Sequence, residues 1–252
     1  MNAEQKEALV KVPAITLVFW VIKILATTLG ETGGDAVSMS MNLGYIISTG
    51  IFMVLFIGAV LLQIRAKRFH PFFYWFAIIA STTVGTTLAD FSTRSLGIGY
   101  SGGSALLLFL LLASLLIWHR DLGRVDVSSI YTTKAEFYYW LTIMFSQTLG
   151  TALGDWTADT AGLGYLGAAG IFSCLLLAVV GLHFLTNISK ATLFWIAFVL
   201  TRPLGAVVGD LLDKPVVNGG LELSRYMATG ALFATIIILV LVLPQRAASK
   251  VH

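Results

Sequence analysis

Apolar residues in this chain gather into long blocks separated by short polar stretches. Eight blocks stand out, near residues 12–34, 43–63, 71–90, 98–118, 136–155, 162–185, 191–211 and 224–243. At about 1.5 Å rise per residue, each is long enough as a helix to cross a hydrocarbon core of roughly 30 Å. Runs such as 105–116 and 236–243 lack the period-two alternation of a membrane β-barrel. The first block is too long for the apolar core of a cleavable signal, and Glu4 and Glu7 interrupt the charged region such a signal needs, so it is expected to remain as a span. The expectation is an all-α integral membrane protein with eight transmembrane helices.

A shorter pattern recurs inside every second block: an aromatic-Trp pair, a Gly ten residues after the Trp, and an Asp five residues after that Gly. The copies are Phe19-Trp20…Gly30…Asp35, Tyr74-Trp75…Gly85…Asp90, Tyr139-Trp140…Gly150…Asp155 and Phe194-Trp195…Gly205…Asp210. Thr28, Thr83 and Thr148 precede the anchor Gly by two residues, with Pro203 in the fourth copy, and a small residue precedes each Asp. Gly44-Tyr45, Gly99-Tyr100 and Gly164-Tyr165 follow the anchor at one common distance; the fourth copy instead has Arg225-Tyr226, about six residues late. Such recurrence means internal duplication.

The predicted organisation is a single membrane domain, residues 1–252, with repeats near 12–65, 66–120, 134–187 and 188–245. Each repeat has two spans, so successive copies enter the membrane in the same direction, as parallel repeats. The expected architecture is a pseudo-fourfold bundle of four helix hairpins, the Trp-bearing helices nearest the axis. The four motif Trp residues read as interfacial anchors.

Composition and charge sharpen this picture. The chain is 57% apolar, with a mean hydropathy of +0.87. Eleven basic residues, Lys6, Lys11, Arg65, Lys67, Arg68, Arg120, Arg124, Lys134, Lys190, Arg246 and Lys250, lie in the tails and between repeats. Only Arg94, Lys214 and Arg225 lie in the loops within repeats, while Lys23 and Arg202 fall inside spans. This bias places both termini in the cytoplasm. The basic loops lack interleaved aromatic platforms, so no nucleic-acid partner is expected. Cys174 is the single cysteine, which excludes an internal disulfide and a Cys-based metal site.

The candidate chemistry is acidic. Asp35, Asp90, Asp155 and Asp210 fall at one matching depth, and Glu31 with Asp35 and Asp155 with Asp159 form i,i+4 pairs. Intramembrane carboxylates are costly and usually functional. Thr28, Thr83 and Thr148, with further threonines nearby, add hard oxygen donors, suiting Mn²⁺, Ca²⁺ or Mg²⁺ better than Zn²⁺ or Cu⁺. Lys23, Arg202 and Arg94 are candidate counter-ions, or tethered charges in a cation's place. Asp213 and Glu222 read as solvated. No catalytic triad, zinc-protease, dithiol or phosphate-loop motif is present, so an enzyme is not expected.

The four-repeat pattern and size resemble a bacterial family catalogued as uncharacterised membrane-anchored proteins, which implies a multi-pass protein of the bacterial inner membrane. Gly30-Glu31-Thr32-Gly33-Gly34-Asp35 is similar to the Glu-x-Gly-Asp motif of cation/proton exchangers, with Gly34 inserted and Ala36 in place of the usual basic residue. The function expected is proton-coupled secondary transport of a hard divalent cation, Mn²⁺ ahead of Ca²⁺ and Mg²⁺, with Glu31, Asp35, Asp90, Asp155, Asp159 and Asp210 as ligands. No resident cofactor is expected; the divalent cation enters as substrate. The expected partners are the lipid bilayer, the metal ion and protons, and self-association into a homo-oligomer is compatible with the sequence. Two other readings stand beside transport of a metal. One is a transporter or channel for another small solute, with Tyr45, Tyr100 and Tyr165 beside the acidic ring. The other is a membrane subunit or sensor that docks a partner through the loop at 119–134, which carries Asp121 and Asp126 among its basic residues, with Glu136 just beyond it.

Overall fold

The computed structural model describes residues 11–95, 98–125, 130 and 132–248. Glu4, Lys6, Glu7, Asp126 and Lys250 lie outside the described residues. Eight long helices follow in order: α1 (Leu17–Asp35), α2 (Gly44–Arg65), α3 (Pro71–Asp90), α4 (Gly99–Leu122), α5 (Thr133–Asp155), α6 (Gly164–Leu185), α7 (Lys190–Asp213) and α8 (Arg225–Val242). Local signals set several starts. The Thr16 and Thr132 hydroxyls cap α1 and α5 by accepting from Phe19 N and Ala135 N, and Pro71 occupies the first turn of α3, where its missing N–H costs nothing.

The first helix begins at Leu17 rather than near residue 12 because the preceding segment is extended and bonded to the C-terminal tail. Ala14 N donates to Arg246 O and Ala248 N to Val12 O, each at 2.8 Å.

In the first three copies the motif Asp is the last α-helical residue and a five-residue π turn follows: Ala36–Ser40, Phe91–Ser95 and Trp156–Thr160. In the fourth, α7 runs on to Asp213 and a loop containing the short 3₁₀ turn Val216–Asn218 follows. Gly44, Gly99 and Gly164, which open α2, α4 and α6, have φ of +71°, +67° and +65°. That left-handed turn explains the recurring Gly of the Gly-Tyr pair. Arg225 replaces it where the longer fourth loop makes the turn differently.

Each of α1, α3, α5 and α7 touches the next, and α7 returns to α1. The anchor glycines set these contacts. A Cβ on Gly30 would collide with Thr82, one on Gly85 with Gln147, one on Gly150 with Arg202 and one on Gly205 with Thr27. The residue met is in every case the one three positions before the next copy's anchor. Small residues allow such close helix approach.

The expected hairpins are not what forms. The two helices of one copy meet chiefly at the turn between them, while α2 packs on α3, α4 on α5, α6 on α7 and α8 on α1. Each outer helix therefore leans on the inner helix of the following copy, and no copy completes its own packing.

Seven of the described helices are long and apolar enough to cross a membrane. The eighth, α5, has the length but carries Tyr139, Thr142, Ser146, Gln147, Thr148 and Thr151, all turned inward and buried. The outer helices are the reverse case, with Ile46, Val54, Phe109, Leu166, Leu177 and Leu241 exposed.

The motif tryptophans are mostly enclosed by protein rather than exposed as interfacial anchors would be. Trp75, Trp140 and Trp195 are buried and Trp20 half-buried, in a cluster with Phe19, Tyr74, Tyr139 and Phe194 at the N-terminal ends of the inner helices. The Tyr74 and Tyr139 hydroxyls are hydrogen-bonded at 2.7 Å.

Because a methyl at Gly205 has nowhere to go, Gly205→Ala is expected to cost about 1–3 kcal/mol of stability. Gly58→Ala, on an open face of α2, is expected to be neutral or to stabilise by up to about 1 kcal/mol. Unfolding of both variants in detergent measures the difference.

Candidate acidic site

The tight helix approach brings equivalent positions of different copies together, and the residue following the anchor Gly forms the first polar level. Arg202, fully buried on α7, projects into it. Its Nη1 and Nη2 each lie 3.0 Å from Glu31 Oε2, and Nη2 donates to Thr86 Oγ1 at 2.6 Å and Thr151 Oγ1 at 2.5 Å. Thr86 also donates to Glu31 Oε2, at 3.2 Å. One guanidinium thus joins residues from all four copies. The planar fork of Arg suits this multi-donor role, which a lysine could not fill.

About one turn further along the inner helices stand Asp35, Asp90, Asp155 and Asp210, none more than 3% exposed. Two cations serve them. Arg94 Nε lies 2.8 Å from Asp90 Oδ1, and its Nη2 lies 3.6 Å from Asp155 Oδ2. Lys214 is hydrogen-bonded to Asp35 Oδ2 and lies 3.1 Å from Asp210 Oδ1, within ion-pair distance though not aligned as a hydrogen bond. Each cation follows its own copy's Asp by four residues and reaches the Asp of the next copy. Burial alone would lower the pKa of the Lys214 ammonium, but Asp210, Asp35 and Asp213 outweigh it and hold the pKa well above the ordinary lysine value.

Glu31, Asp35 and Asp210 each offer a carboxylate oxygen such that all three lie within 4.8 Å of one another, and all three are buried. They are the one grouping of ligand type among the described residues, drawn from copies one and four. Asp90 and Asp155 lie outside it, drawn together by Arg94.

Asp159 is exposed, accepts from Tyr100 Oη at 3.5 Å, and lines an open cleft of about 570 Å³ with Met39, Arg94, Tyr165, Lys214 and Asn218. The structure therefore does not bring it to the buried carboxylates. Nor does it bring Thr28, Thr83 and Thr148, whose hydroxyls donate to backbone carbonyls of their own helices. The threonines that reach Arg202 and Glu31 are instead those directly after the anchor glycines.

Lys23 is fully buried eight residues before Glu31, about 12 Å along the helix. Among the described residues no carboxylate lies within ion-pair distance of it; its Nζ is 3.5 Å from Gln147 Oε1 and 4.2 Å from the centre of the Phe198 ring. It is not a counter-ion of the cluster. Asp213, expected to be solvated, is buried and paired with Arg225 Nε at 2.9 Å, because the longer fourth loop folds back over the helix end. Arg225 Nε also comes to 3.9 Å from Asp35 Oδ2.

Lys214 and Arg225 belong to the site although the sequence reads them as loop residues. A signal for Lys214 existed: the position four after the motif Asp reads Met39, Arg94, Asp159, Lys214, basic in alternate copies.

Comparison with known families returns one described as "Repeat of Unknown Function (DUF347)", which matches residues 18–69, 73–121, 138–189 and 193–247. No curated protein and no solved structure matches the chain significantly.

Removing Arg202 strands Glu31 as a buried charge. Arg202→Met is expected to cost about 3–5 kcal/mol, and Glu31→Gln in the same chain to restore most of it. Denaturant unfolding of the two single variants and the double variant checks this; additive losses would mean that the pair is not coupled.

Proposed function

The chain belongs to the DUF347 repeat family, and from that premise we propose that it is a multi-pass membrane protein whose four parallel repeats form a pseudo-fourfold ring, both termini facing the cytoplasm. Its function on this reading is secondary transport of a hard divalent cation, Mn²⁺ first and Ca²⁺ or Mg²⁺ after it, coupled to protons.

The observation that carries the reading is the convergence of Glu31, Asp35 and Asp210 within 4.8 Å in a buried setting. The surplus of negative charge supports a cation as the substrate. Glu31, Asp35, Asp90, Asp155, Asp210 and Asp213 are buried at this end, against Arg94, Arg202, Lys214 and Arg225. With every group ionised, two negative charges remain uncompensated. Oxygen ligands of this kind select hard cations. A proton on any of the three carboxylates competes with the metal for the same oxygens, which is the simplest means of coupling.

The path also favours a transporter over an open pore. The cleft beside Lys214 reaches the acidic end from outside. Arg202 fills the centre of the bundle, and the aromatic cluster with the paired tails covers the other end. Passage then requires alternating exposure of the site.

A second reading takes an organic cation as substrate. It is favoured by one observation, that a primary ammonium, Lys214's own, already sits between Asp35 and Asp210.

Flux into proteoliposomes tests both. Mn²⁺ uptake driven by a pH gradient is expected in the wild type, to fall more than tenfold in Asp35→Asn and Asp210→Asn, and to persist in Asp159→Asn. Unaltered Mn²⁺ flux in the first two variants would sink the metal mechanism, and alkylammonium flux without Mn²⁺ flux would select the second reading.

A further inference from the structure

The two bridging cations occupy the same position in their copies but are held differently. Arg94 lies in the π turn that continues α3, spans Asp90 and Asp155, and has its guanidinium 5.9 Å from the centre of the Tyr100 ring. Lys214 lies one residue beyond α7, in extended backbone (φ −74°, ψ 155°) followed by Pro215; its side chain, like that of Arg94, lines the cleft. Its ammonium makes one aligned hydrogen bond, to Asp35 Oδ2. Asp35 Oδ1 and Asp210 Oδ1 receive no hydrogen bond, although their residues are 0% and 3% exposed. Asp210 Oδ1 still has the Lys214 ammonium 3.1 Å away, but Asp35 Oδ1 has neither a hydrogen bond nor an ion pair among the described residues; buried carboxylate oxygens are ordinarily satisfied, so it marks unfilled ligand capacity within the three-carboxylate group.

We propose that Lys214 is a displaceable tethered cation: a metal ion entering from the cleft takes its place among Glu31, Asp35 and Asp210, and the ammonium returns when the ion leaves. This inference rests on the transport reading of that site. An ammonium is a compact point charge on a flexible four-carbon stem, able to swing into the adjoining cleft without losing its charge. A guanidinium that spans two carboxylates and packs beside a ring gives up more contacts on leaving. Arg94 therefore braces Asp90 and Asp155, and the two otherwise matching acidic pairs divide into a structural one and an exchangeable one. The return of the ammonium also spares the empty site two unpaired buried carboxylates, which would otherwise oppose release.

The test is Mn²⁺ binding by calorimetry to the purified full chain in detergent, for wild type, K214Q and K214R, with thermal unfolding as the check on folding and Mn²⁺ flux measured in parallel. K214Q is expected to bind at least tenfold more tightly than wild type, having lost the internal competitor. K214R is expected to bind at least tenfold more weakly, its fork holding both carboxylates. A folded K214Q protein that binds no more tightly than wild type overturns the proposal; should K214Q fail to fold, wild-type affinity in K214R overturns it. Wild-type flux with unchanged affinities in the variants removes only this role of Lys214. Absence of both Mn²⁺ binding and flux in the wild type removes the transport reading itself.

Discussion

Carboxylates enclosed by apolar helices must be matched by positive charge, and that requirement organises one whole end of this molecule. A lone buried carboxylate is among the most destabilising groups a fold can carry. Here Arg202 answers Glu31, Arg94 answers Asp90 and Asp155, Lys214 answers Asp35 and Asp210, and Arg225 answers Asp213. With the exception of Arg94–Asp90, Lys214–Asp210 and Arg225–Asp213, these pairs cross between repeats. The charges thus tie the copies to one another as the packing does, since each outer helix leans on its neighbour's inner helix rather than on its own. The polar interior and the apolar exterior both draw on all four copies.

Duplication accounts for the framework and divergence for the chemistry. The anchor Gly and the Asp recur in every copy, the one where the inner helices approach closely and the other as a buried carboxylate about one turn further on. The intervening positions are where the copies differ. The residue after the anchor reads Glu31, Thr86, Thr151 and Ala206, and the residue three before it reads Thr27, Thr82, Gln147 and Arg202. One acid and one base in a ring of otherwise neutral side chains produce the Arg202–Glu31 pair, and that asymmetry singles out the boundary between the fourth and first copies. The same boundary gathers Asp35, Asp210 and Lys214 and, through the longer fourth loop, Asp213 and Arg225. Fourfold repetition supplies the walls, and the departures from it supply a single distinctive corner.

Much of this was legible in the chain. The blocks of apolar residues located seven of the eight helix starts within three residues, and the recurring Asp inside those blocks foretold the burial of the acids. The differences share a physical cause: each concerns which partner a side chain meets once the bundle has formed. Trp75, Trp140 and Trp195 lie at helix starts, as interfacial anchors would, yet the tail pairing around Pro13 and Ala247 encloses that end. Thr28, Thr83 and Thr148 recur as faithfully as the Asp residues, but recurrence served their own helices' carbonyls. Asp213 and Lys214 follow the last motif Asp in what reads as a wet loop, and only the backbone hydrogen bonds of Leu221 to Leu211 and Leu223 to Leu212 show that this loop folds back. A helix-period pattern reports which face is buried, not which neighbour it faces.

On the proposed reading, the corner built by Glu31, Asp35 and Asp210 holds the transported ion, so the most direct test is to see the ion there. Anomalous diffraction at the manganese edge, on crystals of the wild-type chain grown with Mn²⁺, locates the metal without reference to any activity. The expected result is one strong peak within coordination distance of all three carboxylates, with the Lys214 side chain turned out into the cleft. A peak elsewhere, or an unoccupied corner with Lys214 still paired to Asp35 at saturating Mn²⁺, would contradict the account.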